Sequence, residues 1–452
     1  MLRDLQGLFL GSSVRARALR GTAASLSLSI GEHGLRFVSN LVLTRILFPE
    51  AFGLMAIVHA ILIGVELLSD FGARSIVIQS PRGDDADFLN TVWTLKCVRG
   101  LILWLAICAT APFFADLYDQ QMLAQILPVA GVSVLVAGAF PSKELSVSRH
   151  MKLGRYAAVK LVAQFIGLCG TALLAWKLET VWALALGLSL RSVIDLMMFQ
   201  RFLPGLRNRF CLERESLLEI FSFGKYLFLN AIAIYVTSHS DRAILGLFIP
   251  IDILGLYNIA FALTSLPFLL AQNIIISVIF PLYRMRHPLD APGNRKKVVK
   301  ARRLVSLLTL SGLCSLAFIG PWLIELLYDD RYILSGAVSV LLCLGLVPSV
   351  ALYGTLYAAV AKGDTFRFMV LNAVTAACQG VLLYLAVQSY GLVGAPFAIG
   401  LAPLVTYPLL AYFLRMYGNW DPAGDAVLML GASAMIGFSI WLHFDDVGRL
   451  LP

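Results

Sequence analysis

Residues 21–68 read GTAASLSLSIGEHGLRFVSNLVLTRILFPEAFGLMAIVHAILIGVELL and contain two long apolar runs, joined by the short turn RILFPE. Each run has close to the roughly 20 residues that an α-helix needs to cross a bilayer. Similar runs follow along the chain. They are continuous rather than alternating, so the pattern predicts an all-α integral membrane protein instead of a barrel of strands. The thirteen predicted spans are 21–44, 51–68, 88–111, 121–142, 154–176, 180–200, 217–246, 251–283, 304–327, 332–361, 368–388, 391–414 and 426–444.

The composition fits a chain that is surrounded mainly by lipid. Of its 452 residues, 59% are hydrophobic and only 14% are charged, and the mean hydropathy is +0.81. The stretches between the predicted spans are at most about twenty residues long, which leaves no room for a soluble catalytic domain between them. A water-soluble enzyme is therefore excluded.

The basic residues predict how the chain is oriented. Of 36 Lys and Arg residues, 25 lie in the N-terminal tail and in every second gap between spans, and only 4 lie in the opposite gaps. Cytoplasmic loops carry this excess, so the N-terminus is predicted to be cytoplasmic. The formal charge of +9 is spread over short loops, and we therefore predict no nucleic-acid partner.

A faint internal repeat divides the chain. RILFPEAFGLMAI at 45–57 is similar to LGLFIPIDILGLYNIA at 245–260, six spans later. In both segments a Pro makes the turn and a Gly-Leu pair opens the next helix. The repeat predicts two six-helix bundles around a central cavity, as many transporters have. The predicted divisions are an interfacial helix at 1–20, a first bundle at 21–200, a cytoplasmic linker at 201–216, a second bundle at 217–414 and an extra span within 415–452.

Charges inside the spans are the candidate functional residues, because a charge in the membrane is expensive and usually functional. They include the cations Arg36, Lys96, Arg99, Lys160, Arg191, Lys225 and Arg242 and the anions Glu32, Glu66, Asp195, Asp241 and Glu325. We find no metal-ligand spacing and no catalytic motif, so no catalytic or metal-binding residue is predicted.

Some of these charges have alternative interpretations within their own helices. Glu32 and Arg36 are four residues apart, so an ion pair competes with a substrate contact. Arg191 and Asp195 share this spacing, and we expect them to pair. Lys160, close to a span end, is expected to extend toward the membrane surface.

Lys96 and Arg99 are the strongest local candidates for a phosphate contact. They are three residues apart on one helical face, and neither has a carboxylate four residues away in its own helix. Two like charges in a membrane repel each other unless something anionic lies between them. For Asp241 and Arg242, a structural role at the turn into the next span competes with a substrate role.

Three stretches together resemble one family of membrane proteins. They are LVLTRILFPEAFGLMAI at 41–57, SDFGARSIVIQSPRGDDADFLNTVWTLK at 69–96, and SDRAILGLFIPIDILGLYNIAFALTSLPF at 240–268 followed by VIFPLYRMR at 278–286. Their order and their placement relative to the spans are similar to those of the Wzx-type oligosaccharide flippases. These flippases form the polysaccharide transporter branch of the multidrug/oligosaccharidyl-lipid/polysaccharide exporter superfamily. The usual count in such proteins is twelve or fourteen spans, so a thirteenth departs from the pattern.

The resemblance implies a flippase, not an enzyme. It would move a polyprenyl-diphosphate-linked oligosaccharide to the outer leaflet of the bacterial inner membrane by alternating access, for exopolysaccharide, capsule or O-antigen synthesis. Its partners would be membrane lipid, this substrate and other polysaccharide-assembly membrane proteins. Substrate contacts are expected from Arg36, Lys96, Arg99, Arg191, Lys225 and Arg242. The carboxylates Glu32, Glu66, Asp195, Asp241 and Glu325 would couple transport to H⁺ or Na⁺, with no other cofactor.

Two alternatives stay open. The first is a small-molecule exporter similar to drug/cation antiporters or to the major facilitators, although the gap at 201–216 is shorter than the central loop usual in facilitators. The second is a membrane polysaccharide polymerase or glycosyl transferase. Such enzymes usually carry a large outer loop, whereas the outer gaps here have at most about ten residues.

Overall fold

A computed structural model describes residues 14–150 and 153–450, with side chains described except at 14–26, 148, 153, 221–230 and 292. Every regular element in this part of the chain is helical. Most of the predicted interfacial helix at 1–20 lies outside the described residues. The longer helices are α1 (Val14–Ile46), α2 (Pro49–Leu68), α4 (Ala86–Leu117), α5 (Leu123–Gly138), α7 (Leu153–Leu178), α8 (Trp182–Phe202), α9 (Arg214–Phe248), α10 (Ile251–Thr264), α13 (Pro292–Leu327), α14 (Leu334–Leu352), α16 (Thr365–Val405) and α18 (Pro422–Leu442). The shorter helices are α3 (Ala73–Gln79), α6 (Lys143–Arg149), α11 (Leu266–Ile274), α12 (Phe280–Met285), α15 (Tyr357–Ala361), α17 (Tyr407–Met416) and α19 (Phe444–Gly448).

The predicted all-α membrane fold is confirmed, and every predicted span falls on helix. Among the described residues, nine helical stretches are long and apolar enough to cross a membrane. One of them, Thr365–Met416, covers two predicted spans, and its backbone breaks at Gly391, where φ is 56°. That conformation is open mainly to glycine, so the chain turns there between two helical segments. The count of thirteen spans stays a prediction.

The described chain groups into two compact units. The first comprises residues up to Leu47 together with Ile61–Phe228, and the second comprises Phe48–Ala60 together with Leu229–Pro452. The start of α2 therefore packs with the second unit, and its end packs with the first. Residues 415–450, predicted as an extra span and its flanks, pack within the second unit rather than apart from it.

The first unit is built from helix pairs that approach closely. Helix α4 packs on α5 and α7 packs on α8, while α1 packs against α7 and α5 packs against α8. A Cβ atom added at Gly138 would lie 2.6 Å from the backbone oxygen of Lys96 and 3.1 Å from Cα of Gly100. Small residues that allow backbones to touch are the usual means by which helices associate in lipid. This contact brings α4 against α5 beside the charged side chains of α4.

The second unit surrounds α14. Nearly all residues of this helix are buried, and α10, α13, α16 and α18 pack around it. An ion pair joins two of the surrounding helices, because the Arg302 guanidinium of α13 donates to the Asp425 carboxylate of α18 at 2.7 Å. Both side chains are only 2% exposed. The last long helix is therefore held in place by charge as well as by packing.

The two repeat segments identified in the sequence meet inside the second unit. A Cβ atom added at Gly53 would lie 1.9 Å from the backbone oxygen of Ile251, and one added at Gly255 would lie 2.0 Å from that of Pro49. The contact is reciprocal, since each segment offers a glycine to the first residue of the other's helix. Only glycine permits a backbone approach this close.

Candidate functional site

A cavity of about 320 Å³ in the first unit brings several predicted residues together. It lies between the end of α2, the middle of α4 and the end of α5. Its polar lining consists of Glu66, Asp70, Lys96 and Arg99, and its apolar lining includes Ile63, Leu103 and Val134. Lys96 and Arg99, predicted to act together, do share one cavity.

Arg99 is oriented by the end of α2. Its guanidinium donates to the backbone oxygen of Glu66 at 2.7 Å and to the Ser69 hydroxyl at 3.0 Å. The Asp70 carboxylate lies 3.7 Å from a third guanidinium nitrogen. Carbonyl groups at the last turn of a helix have no partner within that helix, and a cation there is favourable. Asp70 lies outside α4, in the segment that follows α2, so the spacing within α4 could not reveal this partner.

Lys96 is oriented in the same way by the end of α5. Its ammonium donates to the backbone oxygen of Phe140 at 3.2 Å, and one turn earlier the Trp93 indole donates to the backbone oxygen of Ala139 at 3.2 Å. The close contact at Gly138 places these carbonyl groups within reach of α4. Both cations are thus fixed by helix ends while their side chains still line the cavity.

The polar lining is balanced in charge, with two cations and two carboxylates. The Arg99 side chain is 25% exposed and that of Asp70 is 50% exposed, so the pair is open to a competing anion. Arginine binds phosphate oxygens with two parallel hydrogen bonds, whereas lysine acts as a point charge. A phosphate group entering the cavity can therefore compete with Asp70 for Arg99 and contact Lys96.

Arg36 and Arg191 form a second basic position in the first unit. Arg36 of α1 is exposed, Arg191 of α8 is half-buried, and they are close enough for their charges to interact. Glu32 and Arg36, both within the described part of the chain, form no ion pair with each other. Glu32 instead accepts a hydrogen bond on its backbone oxygen from Gln164, at 2.9 Å.

The predicted pair of Arg191 and Asp195 is wrong. Asp195 binds the Lys160 ammonium at 2.9 Å, across the contact between α7 and α8. Lys160 is therefore anchored to a buried carboxylate, and the expectation that it extends to the membrane surface is wrong as well. The spacing within α8 could not reveal this, because the partner lies on a different helix.

Asp241 and Arg242 belong to the second unit and are bound to the following span. The Tyr257 hydroxyl donates to the Asp241 carboxylate at 2.7 Å, and Arg242 donates to the Asn258 side chain at 3.3 Å. Arg242 also lies over the Phe261 ring at 4.1 Å. These contacts hold α9 and α10 together at their turn, which is the structural role considered for the pair.

The two remaining candidates are Glu325 and Lys225. Glu325 is exposed near the end of α13. Lys225 falls on α9, but its side chain is outside the described residues. Asp70 and Ser69 are site residues that the charge survey missed, since they follow the end of the predicted span. The quoted motif SDFGAR, which begins with these two residues, was the available signal.

The fold has known counterparts among membrane transport proteins. The structure is similar to the lipid II flippase MurJ in an inward closed conformation, with a TM-score of 0.73 over 94% of this chain and 93% of that one, at 13% identity. It is also similar to an inward-facing multidrug resistance MATE family transporter of the MOP superfamily, with a TM-score of 0.61 over 92% and 98% of the two chains, at 14% identity. The helical arrangement of this chain is thus a fold that these two proteins share.

Sequence comparison identifies the family. Residues 42–338 match the polysaccharide biosynthesis protein family, and the chain belongs to it. It is 23% identical to the lipopolysaccharide biosynthesis protein WzxC of Escherichia coli, over 80% of this chain and 74% of that protein. It is 18% identical to the teichuronic acid biosynthesis protein TuaB of Bacillus subtilis, over 84% and 80%. The resemblance noted in the sequence is confirmed.

Proposed function

We propose that this protein is a flippase for a polyprenyl-diphosphate-linked oligosaccharide. It would carry the substrate from the cytoplasmic to the outer leaflet of a bacterial inner membrane by alternating access, for the synthesis of exopolysaccharide, capsule or O-antigen. The proposal rests on the cavity of the first unit, found in a chain that belongs to the polysaccharide biosynthesis protein family. Lys96 and Arg99 line it among apolar side chains, which suits a diphosphate attached to a lipid.

In this proposal the diphosphate displaces Asp70 from Arg99 and is held by Lys96 at the same time. Arg36 and Arg191 offer a second basic position in the same unit. Glu66, which lines the same cavity from α2, is our candidate for coupling to H⁺ or Na⁺. Each negative charge that moves outward across the membrane potential gains about 2.3 kcal/mol per 100 mV.

Deletion of the gene tests the function itself. We expect the lipid-linked oligosaccharide to accumulate on the cytoplasmic leaflet and the extracellular polysaccharide to be lost. Normal polysaccharide with no accumulated precursor would reject the flippase. Increased sensitivity to small toxic cations, with unchanged polysaccharide, would instead favour the small-molecule exporter.

Neutral variants test the site separately. Returning Lys96→Gln or Arg99→Gln to the deletion strain should leave polysaccharide export at least about tenfold below that of the parent, at equal protein levels. Lys177→Gln is the matched control, because Lys177 is an exposed cation at the end of α7 in the same unit. Normal export by both site variants would reject the site while leaving the flippase proposal intact.

The proposed orientation, with the N-terminus in the cytoplasm, is testable by labelling. A single cysteine replaces Asn294, in the basic stretch, or Asp119, in the acidic gap after α4. An impermeant thiol reagent applied to intact cells should label the second and spare the first until the cells are opened. Labelling at 294 in intact cells would reverse the assignment.

A further inference from the structure

A second cavity, of about 430 Å³, lies in the first unit and is separate from the candidate site. It opens at the ends of the helices, between the start of α4, the turn from α5 to α6 and the chain after α8. Six of its lining residues carry the argument below. They are Trp93, Pro141, Lys143, Met197, Arg201 and Arg207. Trp93 lines this cavity and Lys96, one turn farther along α4, lines the other.

The segment after α8 forms one wall of the cavity. Hydrogen bonds hold this segment against α4 and against the turn from α5 to α6. The backbone NH of Ser142 donates to the Asn208 side chain at 2.9 Å, and Asn208 donates back to the Ser142 hydroxyl at 2.6 Å. The backbone NH of Cys211 donates to the Thr94 hydroxyl at 3.1 Å. Gly205, at a φ of 139°, lets this segment pass against the Lys143 side chain. These specific contacts thus hold the segment after α8 in place as a wall of the cavity.

Its charge is positive. Lys143 is buried and donates to the backbone oxygen of Gln200 at 3.0 Å. Arg201 and Arg207 are exposed, and neither forms an ion pair with a carboxylate in the part of the chain that is described. None of the described residues that line the cavity is Asp or Glu. By contrast, Arg209 in the same segment binds Asp87 at 3.0 Å.

Large apolar side chains adjoin these cations. Phe210 packs on Trp93 with ring centroids 4.9 Å apart and is itself 73% exposed, while Met197 is 63% exposed. Aromatic and long basic side chains together at the ends of membrane helices are typical of the headgroup region. Basic pockets between helices at this level bind lipid headgroups that carry phosphate.

We propose that this cavity binds the phosphate headgroup of an anionic phospholipid resident in the membrane. Arg201 and Arg207 contact the phosphate, Lys143 supplies a fixed positive charge behind it, and an acyl chain lies along Phe210 and Met197. The site is additional to the proposed transport pathway. Because this site binds an anionic phospholipid, the protein depends on the anionic lipid content of its membrane.

Binding of phosphatidylglycerol to the purified full-length protein in detergent, measured by native mass spectrometry, tests the proposal, with phosphatidylcholine for comparison. We expect phosphatidylglycerol to bind at least about tenfold more tightly, and the double variant Arg201→Gln, Arg207→Gln to lose roughly tenfold or more of that affinity. The control Arg209→Gln removes a cation of the same segment that already has a carboxylate, and should bind like the parent. Arg201→Lys with Arg207→Lys keeps both charges and should retain most of the affinity.

Three outcomes would overturn the proposal. The first is equal phosphatidylglycerol affinity in the parent and the neutral double variant. The second is displacement of the lipid by excess inorganic phosphate, which would make the ligand a soluble anion. The third is displacement by a stoichiometric amount of polyprenyl diphosphate, which would assign the cavity to the transported lipid. The unchanged thermal unfolding of a variant shows that its loss of binding is not a loss of fold.

Discussion

Two charged sites, one in each unit, use their charges in opposite ways. In the first unit, Lys96 and Arg99 are held by backbone carbonyl groups at helix ends and line an open cavity. In the second unit, Arg302 and Asp425 bind each other and are almost completely buried. A buried ion pair is costly to form and costly to break, whereas a cation held by carbonyl groups keeps its charge available. Charge therefore joins two helices at the Arg302–Asp425 pair and remains available to a ligand at the cavity of Lys96 and Arg99.

The largest expected effect comes from breaking the buried pair. Arg302→Met leaves the buried Asp425 carboxylate without its hydrogen-bond donor, which should cost about 3–5 kcal/mol of unfolding free energy. The double variant Arg302→Met, Asp425→Leu should recover most of this loss. The measurement is denaturation of the purified protein in detergent. Lys300→Met, which removes an exposed cation of α13, serves as the control, and equal stability of Arg302→Met and this control would contradict the comparison.

A smaller effect is expected where the first unit depends on close packing to form its cavity. Gly138→Ala forces α5 away from α4, because the added methyl meets a backbone oxygen at 2.6 Å. We expect a loss of about 1–3 kcal/mol and reduced export. Gly34→Ala in α1, where nothing lies within 4 Å, should instead gain up to about 1 kcal/mol from helix propensity. Thermal unfolding of the two variants should move in opposite directions, and a shared direction would argue against the packing explanation.

A third variant tests whether the cations of the first unit are available to an anion. Asp70→Asn keeps an oxygen that accepts from the backbone NH of Gly72, but removes the charge beside Arg99. Binding of polyprenyl diphosphate, measured by fluorescence with the purified protein, should become roughly fivefold tighter. Glu325→Gln, far from the cavity in sequence and outside its lining, should leave the affinity unchanged. Weaker binding by Asp70→Asn would show that Asp70 does not compete with the ligand.

The smallest effect concerns pH. Two hydrogen bonds from Arg303, both 2.6 Å long, lower the pKa of the Asp421 carboxyl at the turn before α18. Because its folded pKa is depressed, this carboxylate contributes stability that is present above its ordinary pKa, near 4, and lost as pH falls through the depressed value. Arg303 is half exposed, so the contribution is about 1 kcal/mol. The stability difference between the parent and Asp421→Asn should shrink on acidification below pH 4, and a constant difference would contradict this cause.

The sequence predicted what depends on periodicity and composition. Apolar runs located the long helices, because a helix in lipid must satisfy its own backbone and therefore has a minimum apolar length. The spacing of Lys96 and Arg99 correctly placed both cations on one face. These features are local, so a single segment contains all the information that they need.

Ion-pair partners that lie on different segments could not be predicted from the sequence. Asp195 binds Lys160 from α7 instead of Arg191 from its own helix, and Arg99 meets Asp70 from the end of α2. Spacing along one helix gives only the neighbours within that helix, and the rotation of two helices about each other decides the rest. For the same reason, the cavity lined by Arg201 and Arg207 could not be predicted from the sequence.

The reciprocal contact of Gly53 and Gly255 has a consequence for how the chain can vary. It is the kind of contact that two identical subunits make about a twofold axis, where each copy offers the same patch to the other. Here both copies of the patch lie in one polypeptide. Gly53 and Gly255 can therefore mutate separately, but one packing contact constrains both positions. A methyl group at either glycine disrupts the same crossing, and a change tolerated at one position requires an adjustment at the other. The two halves of the repeat are therefore expected to co-vary at this crossing while they diverge elsewhere.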